Sequence, residues 1–96
     1  VPAVRQILSG PSLEEIDRTV EETIENDPRL SKKLRIYFSH RYSGLSLSEI
    51  GKHLGMEGAA ISQSSRRLRQ AIAAESELRR LTRTIGGRLG LLNVET

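Results

Sequence analysis

Cysteine is absent from this chain of 96 residues, which removes disulfide frameworks and thiolate metal sites together. Only two histidines are present, His40 and His53, thirteen residues apart and without cysteine partners, so no metal site is expected. Tryptophan is missing as well, and Tyr37, Phe38 and Tyr42 are the whole aromatic complement. No apolar run approaches the ~20 residues that a membrane-spanning helix needs, and the N-terminus lacks the basic-then-apolar pattern of a signal peptide. No glycine-rich phosphate loop and no matched serine, histidine and aspartate set occurs. These absences lead us to expect a soluble protein of a reducing cytoplasm, with no membrane partner, no small-molecule substrate, no cofactor and no enzymatic activity in this chain alone.

The length suits one small domain with a modest stability margin, so most amphipathic segments must pack against each other. Net charge is only +3, but its distribution is uneven. Residues 12 to 28 hold seven acids against Arg18, whereas residues 29 to 41 hold five bases and no acid. From Gly58 to Gly90 seven arginines face Glu75 and Glu77. A local basic surface attracts phosphate even when the total charge is mild, although charged faces also serve simply to solvate helices.

The hydrophobic pattern is helical throughout and predicts an all-α domain of about five helices. Residues 1–11, broken at Gly10-Pro11, read as a linker or tail, residues 12–92 as the helical domain, and 93–96 as a second tail. Val1 in place of an initiating methionine raises the expectation of a fragment with further domains upstream. A first helix is predicted from Ser12, where Glu15 completes a capping box, with Leu13, Ile16, Val20 and Ile24 on one stripe. Asn26-Asp27-Pro28 ends it, and Asp27 with Pro28 opens a second helix. There Leu30, Leu34, Tyr37, Phe38 and Tyr42 share a face and read as core, and neither tyrosine has an activating neighbour that would suit it to nucleophilic chemistry. Ser43-Gly44 closes this helix.

The stretch SLSEIGKHLGMEGAAISQSSRRLRQ, Ser46 to Gln70, reads as a helix-turn-helix. Ser46 and Glu49 form another S-x-x-E capping box, and Leu47, Ile50 and Leu54 are expected to point inward. Gly51 costs ~1 kcal/mol of helix preference against alanine, so close packing against the following helix is the expected reason for it. Gly55 suits a turn of positive φ, and Ile61 is the expected buried anchor of the next helix. That helix, from about Glu57 to Ala74, turns Ile61, Leu68 and Ile72 inward with Ser64 and Ser65 beside them. Ala59, Gln63, Arg66 and Gln70 point the opposite way, with Arg67 on the outer flank. A new stripe of Leu78, Leu81, Ile85 and Leu89 predicts a fifth helix, frayed at Gly86-Gly87, with Leu91-Leu92 tucking back.

Such a unit places its second helix in the major groove of double-stranded DNA. Gln63 and Arg66 are the candidate base contacts, since glutamine pairs with adenine and arginine with guanine bidentately, and Ser62 assists. Arg67, Lys52, Ser46 and Ser48 are candidate phosphate contacts, extended by Arg79, Arg80 and Arg83. The alternative is a helical protein-interaction or dimerisation module, with the acidic first helix docking a basic partner; a weak homodimer is among the expected partners, and a dimer in light scattering would favour this alternative.

The run SEIGKHLGMEGAAISQSSRRL resembles the C-terminal DNA-binding domain of the bacterial replication initiator DnaA, with its E-I-G lead-in, over about a quarter of the chain. The initiator's R-D-H-T-T run has no counterpart at Met56 to Ala60. A closer resemblance is to the initiator-like domain at the C-terminus of bacterial REP-associated tyrosine transposases. Their L-S-L-x-E-I-G lead-in, glycine turn and A-I/V-S-Q-x-x-R-R-L helix are similar to Leu45 to Gly51, Gly55-Met56 and Ala60 to Leu68, in a likeness extending over Asp27 to Leu89. That resemblance implies an accessory DNA-binding domain in a bacterial cytoplasm. The nuclease tyrosine and His-hydrophobic-His metal motif would belong to a separate upstream domain.

Overall fold

Ser12 starts the first helix in the predicted way. In the computed structural model, which describes residues 10–91, its hydroxyl oxygen accepts from the Glu15 backbone N–H at 3.1 Å, and the Glu15 carboxylate accepts from the Ser12 N–H. Helix α1 covers Leu13–Thr23. It stops one residue before the predicted Ile24, which is extended although its N–H still donates to the Val20 carbonyl at 2.8 Å. Ile24 still packs, half-buried, against the core.

Helix α2, Pro28–Tyr42, opens on Asp27, whose carboxylate accepts from Leu30 N–H at 3.1 Å, with proline at the first turn. It is the central helix of the fold. Leu34, Tyr37 and Phe38 are buried in a main cluster with Ile16, Val20, Leu68, Ile72, Leu78 and Ile85. Ile36 points the other way and is buried in a second, smaller cluster with Leu13, Ile50 and Ile61. Residues two apart on a helix face nearly opposite directions, so burial of both marks α2 as covered on two sides. The predicted stripe omitted Ile36.

Helix α3 spans Leu47–Leu54, α4 spans Gly58–Ala74 and α5 spans Ser76–Arg88. Glu75 alone, extended at φ −119°, separates α4 from α5 and serves as the end of one and the start of the other. The expected fraying at Gly86-Gly87 does not occur. Gly86 is buried, the helix continues to Arg88, and Gly90 at φ +78° lets Leu91 N–H reach the Gly86 carbonyl at 2.9 Å. Such a closure satisfies the last carbonyls and brings the following residue back to the helix, and Leu91 accordingly packs on the main cluster. Leu92 and the 93–96 tail lie outside the described residues.

Of the stretch read as a linker or tail, Gly10 and Pro11 are described. Pro11 is buried, and Gly10 at φ +72° lies so close to the Tyr42 carbonyl that no side chain fits there. Among the described residues no helix is long and apolar enough to cross a membrane.

Candidate nucleic-acid interface

Two helices and a three-residue connection make the helix-turn-helix, and three glycines shape it. Gly55 has φ +69° with open space around it, so its requirement is conformational. Through that left-handed turn the Met56 N–H donates to the Gly51 carbonyl at 3.0 Å. A Cβ at Gly51 would collide with the Met56 carbonyl oxygen, while Ile61 would lie at an ordinary 3.7 Å. The expectation that α4 dictates this glycine is therefore corrected: the backbone of the turn folds over it. At Gly58 a Cβ would stand 3.2 Å from Leu47 Cβ, which measures how closely the start of α4 approaches the start of α3.

Leu47 itself differs from expectation. It is 37% exposed, Leu54 is half-buried, and only Ile50 of the three is fully buried. Helix α3 has little more than two turns, and its first residue overhangs the small cluster instead of entering it.

Ile61 is the buried anchor of α4, joined on the inner face by Leu68, Ile72 and Ser65. A buried serine on an apolar face requires a partner, and Ser65 has one: its hydroxyl is hydrogen-bonded to His40 Nδ1 of α2 at 2.9 Å. A second histidine ties α3 to α1, His53 Nε2 donating to the Asp17 carboxylate at 2.6 Å. Neither pair was read from the sequence, because the partners are 25 and 36 residues apart and no local pattern links them.

Facing away from this anchoring side, Gln63, Arg66, Arg67 and Gln70 are exposed and Ser62 is half-buried. Arg66 and Arg67 have no side-chain hydrogen bond or ion pair among the described residues. On α3, Ser48 and Lys52 are exposed one turn apart and line a concave mouth of about 660 Å³ with Gly55, Glu57 and Gly58. Ser46 is exposed, but its hydroxyl is engaged as the cap of α3, accepting from Glu49 N–H at 3.2 Å.

The arginines of α5 have diverse surroundings. Arg79 donates to the Ala73 carbonyl at 2.8 Å and to the Ile72 carbonyl at 3.4 Å, closing the end of α4. Arg80 forms a bidentate pair with Glu77 at 2.7 and 2.9 Å. Arg83 is exposed.

The aromatic residues lie away from this face. Tyr37 is buried, and Arg41 stands 5.7 Å over its ring. Burial, with the neighbouring Tyr42 phenol, pushes its pKa up from 10.0 to about 12, a direction that disfavours the phenolate a nucleophile needs. Among the described residues no group of histidine, aspartate and glutamate side chains is arranged to hold a metal ion.

The fold and this face define an all-helical domain carrying a helix-turn-helix. Compared with known proteins, the chain finds no match to a protein-family model, a curated protein or a solved structure.

Proposed function

We propose that this domain binds duplex DNA in a sequence-dependent manner, with α4 in the major groove and α3 across the backbone. The observation that carries the reading is the outer face of α4. Gln63 and Arg66 are exposed with planar hydrogen-bonding groups, on a helix whose opposite face is pinned by Ile61, Ser65 and Leu68. Rigid placement of bidentate groups is what base-edge readout needs. Lys52 and Ser48 on α3 suit phosphate contacts. On the resemblance of Leu45 to Leu68, the domain is an accessory DNA-binding part of a bacterial tyrosine transposase, with an initiator-type scaffold and its own reading residues.

The rival reading, an acidic docking face on α1, has less support. Asp17 is hydrogen-bonded to His53, and Glu21 lies 3.6 Å from Arg35, so part of that acidity is spent within the domain.

Selection from a random duplex pool, followed by fluorescence titration at several salt concentrations, tests the proposal. A preferred sequence should emerge, with affinity falling as salt rises. Arg66→Ala should then relax preference at one base pair, worth about 1–3 kcal/mol of discrimination. A pool without enrichment and no salt-sensitive binding would sink the reading.

A further inference from the structure

We infer that the phosphate-binding surface beside the reading helix is completed by Lys33 of α2, which joins Arg67 and Ser64 of α4 around one backbone phosphodiester. This rests on the DNA reading above and specifies its electrostatic footprint. Lys33, Gln63, Ser64 and Arg67 line a groove of about 260 Å³ with Ala60, Leu68 and Ala71, and no acidic side chain lines it. Its lining thus includes two cationic side chains and a hydroxyl, a donor set that suits a phosphate oxygen.

The location on α4 is as informative as the chemistry. Gly58, which abuts Leu47 of α3, and the Ala60, Ser64 and Arg67 edge that faces Lys33 lie on opposite sides of α4 at about 100° per residue. The reading face is therefore straddled, with Lys52 and Ser48 on one side and Lys33 on the other. A helix in the major groove is flanked by a phosphate backbone on each side. Cations on both flanks match that arrangement.

A further observation fixes where the anion sits. Beyond Lys33 the surface opens into a second hollow of about 420 Å³, where Arg29 is accompanied by Asp27, Glu75 and Glu77. The sign of the lining changes along the groove, and a phosphate is favoured at the Gln63 end. Of the three α5 arginines that the sequence pointed to, Arg79 closes the end of α4 and Arg80 pairs with Glu77, while Arg83 is exposed. Lys33 adds a contact over α2 to those read from the sequence.

The test uses the selected duplex and a series of otherwise identical duplexes in which single phosphates are replaced by neutral methylphosphonates. Binding is read by fluorescence anisotropy across a salt series. For the unaltered protein, neutralising one flanking phosphate should weaken binding about three- to fivefold, and Lys33→Ala should do the same while lowering the salt slope by up to ~0.9. Lys33→Ala combined with Arg67→Ala should make binding insensitive to that methylphosphonate. Lys32 is exposed on the same helix but outside the groove, and Lys32→Ala should stay within about twofold of the parent. Lys33 is exposed, and an unchanged circular-dichroism melt confirms that the variants fold. If Lys33→Ala leaves affinity and salt slope unaltered, or if Lys32→Ala reproduces the loss, the site is refuted while DNA binding stands. Failure of the unaltered protein to bind any duplex removes the DNA reading itself.

Discussion

Replacing Gly51 by alanine sets two effects of opposite sign against each other. Gly51 lies inside α3, where alanine is favoured by about 1 kcal/mol on helix preference alone. Its new Cβ would meet the Met56 carbonyl oxygen at less than the 3.0 Å that real Cβ atoms respect. That oxygen belongs to backbone and cannot rotate away as a side chain would. The turn must shift as a unit, although it is held by the Met56 N–H to Gly51 carbonyl bond and by Ile61 buried just beyond it. A clash this close with backbone belongs in the upper part of the ~1–3 kcal/mol that overpacking costs, about 2–3 kcal/mol. Gly51→Ala should therefore destabilise by about 1–2 kcal/mol net of the ~1 kcal/mol helix preference. That corresponds to a fall in melting temperature of roughly 4–16 °C for a domain of this size. Gly87→Ala is the control: Gly87 is helical and exposed, and its Cβ would meet nothing within 4 Å. The same preference then acts unopposed and should stabilise by about 0.5–1 kcal/mol. Urea unfolding of both variants beside the parent decides the matter. A Gly51→Ala protein as stable as the parent, or more so, refutes the claim that the turn backbone dictates this glycine.

Other outcomes can be checked on the same footing. Ile36→Ala should cost about 2–5 kcal/mol in urea unfolding because Ile36 is 3% exposed between α1, α3 and α4; a loss below 1 kcal/mol would mean that the small cluster is not a packed core. Tyr37 should give alkaline destabilisation: its pKa is raised in the folded state to about 12, so the stability it adds is complete below pH 10 and is lost as pH climbs from 10 to 12. A shift of about two units corresponds to roughly 2–3 kcal/mol, and Tyr37→Phe should abolish that part of the pH dependence of the unfolding midpoint while retaining the ring.

Local signals were legible in the sequence wherever a few consecutive residues define the outcome. The predicted capping box at Ser12 forms in full, that at Ser46 only in its serine half, with the Glu49 carboxylate on the Ser46 hydroxyl and not its N–H, and Asp27 with Pro28 starts α2. Gly55 and Ile61 take the left-handed and buried positions expected of them. The unread features depend on distant partners. Ile36 was passed over because one apolar residue behind a strong stripe carries no periodicity, yet the second cluster needs it. Leu47 was placed inward because its spacing from Ile50 and Leu54 is helical, but spacing does not reveal that the core ends before the first turn of α3. Gly86 looked like a breaker, and its small size instead fits a buried helix position closed by Gly90. Among the candidate site residues, exposure of Gln63, Arg66 and Arg67 followed from the wheel. The capping role of Arg79 and the placement of Lys33 beside Arg67 follow from how helices meet, which no local pattern encodes.

The two clusters divide the labour of the fold in a way that bears on recognition. Helix α4 contributes Ile61 to the small cluster and Leu68 and Ile72 to the main one, so its two halves are anchored independently. A helix fixed at two points along its length cannot tilt without opening one of them, and the bond from Ser65 to His40 adds a third point between them. Charge is segregated on the same scaffold. Residues 29 to 91 carry thirteen bases against four acids, while the α1 region carries the acids that reduce the net charge to +3. Part of that acidity is spent holding His53 and Arg35. Under the proposed reading, such a charge distribution would orient the approach to a phosphate lattice, because the field and not the total charge steers an encounter. Under the proposed duplex-DNA reading, the mounting of α4 at two clusters would bring Gln63 and Arg66 to the groove already aligned, with little binding energy lost to ordering them.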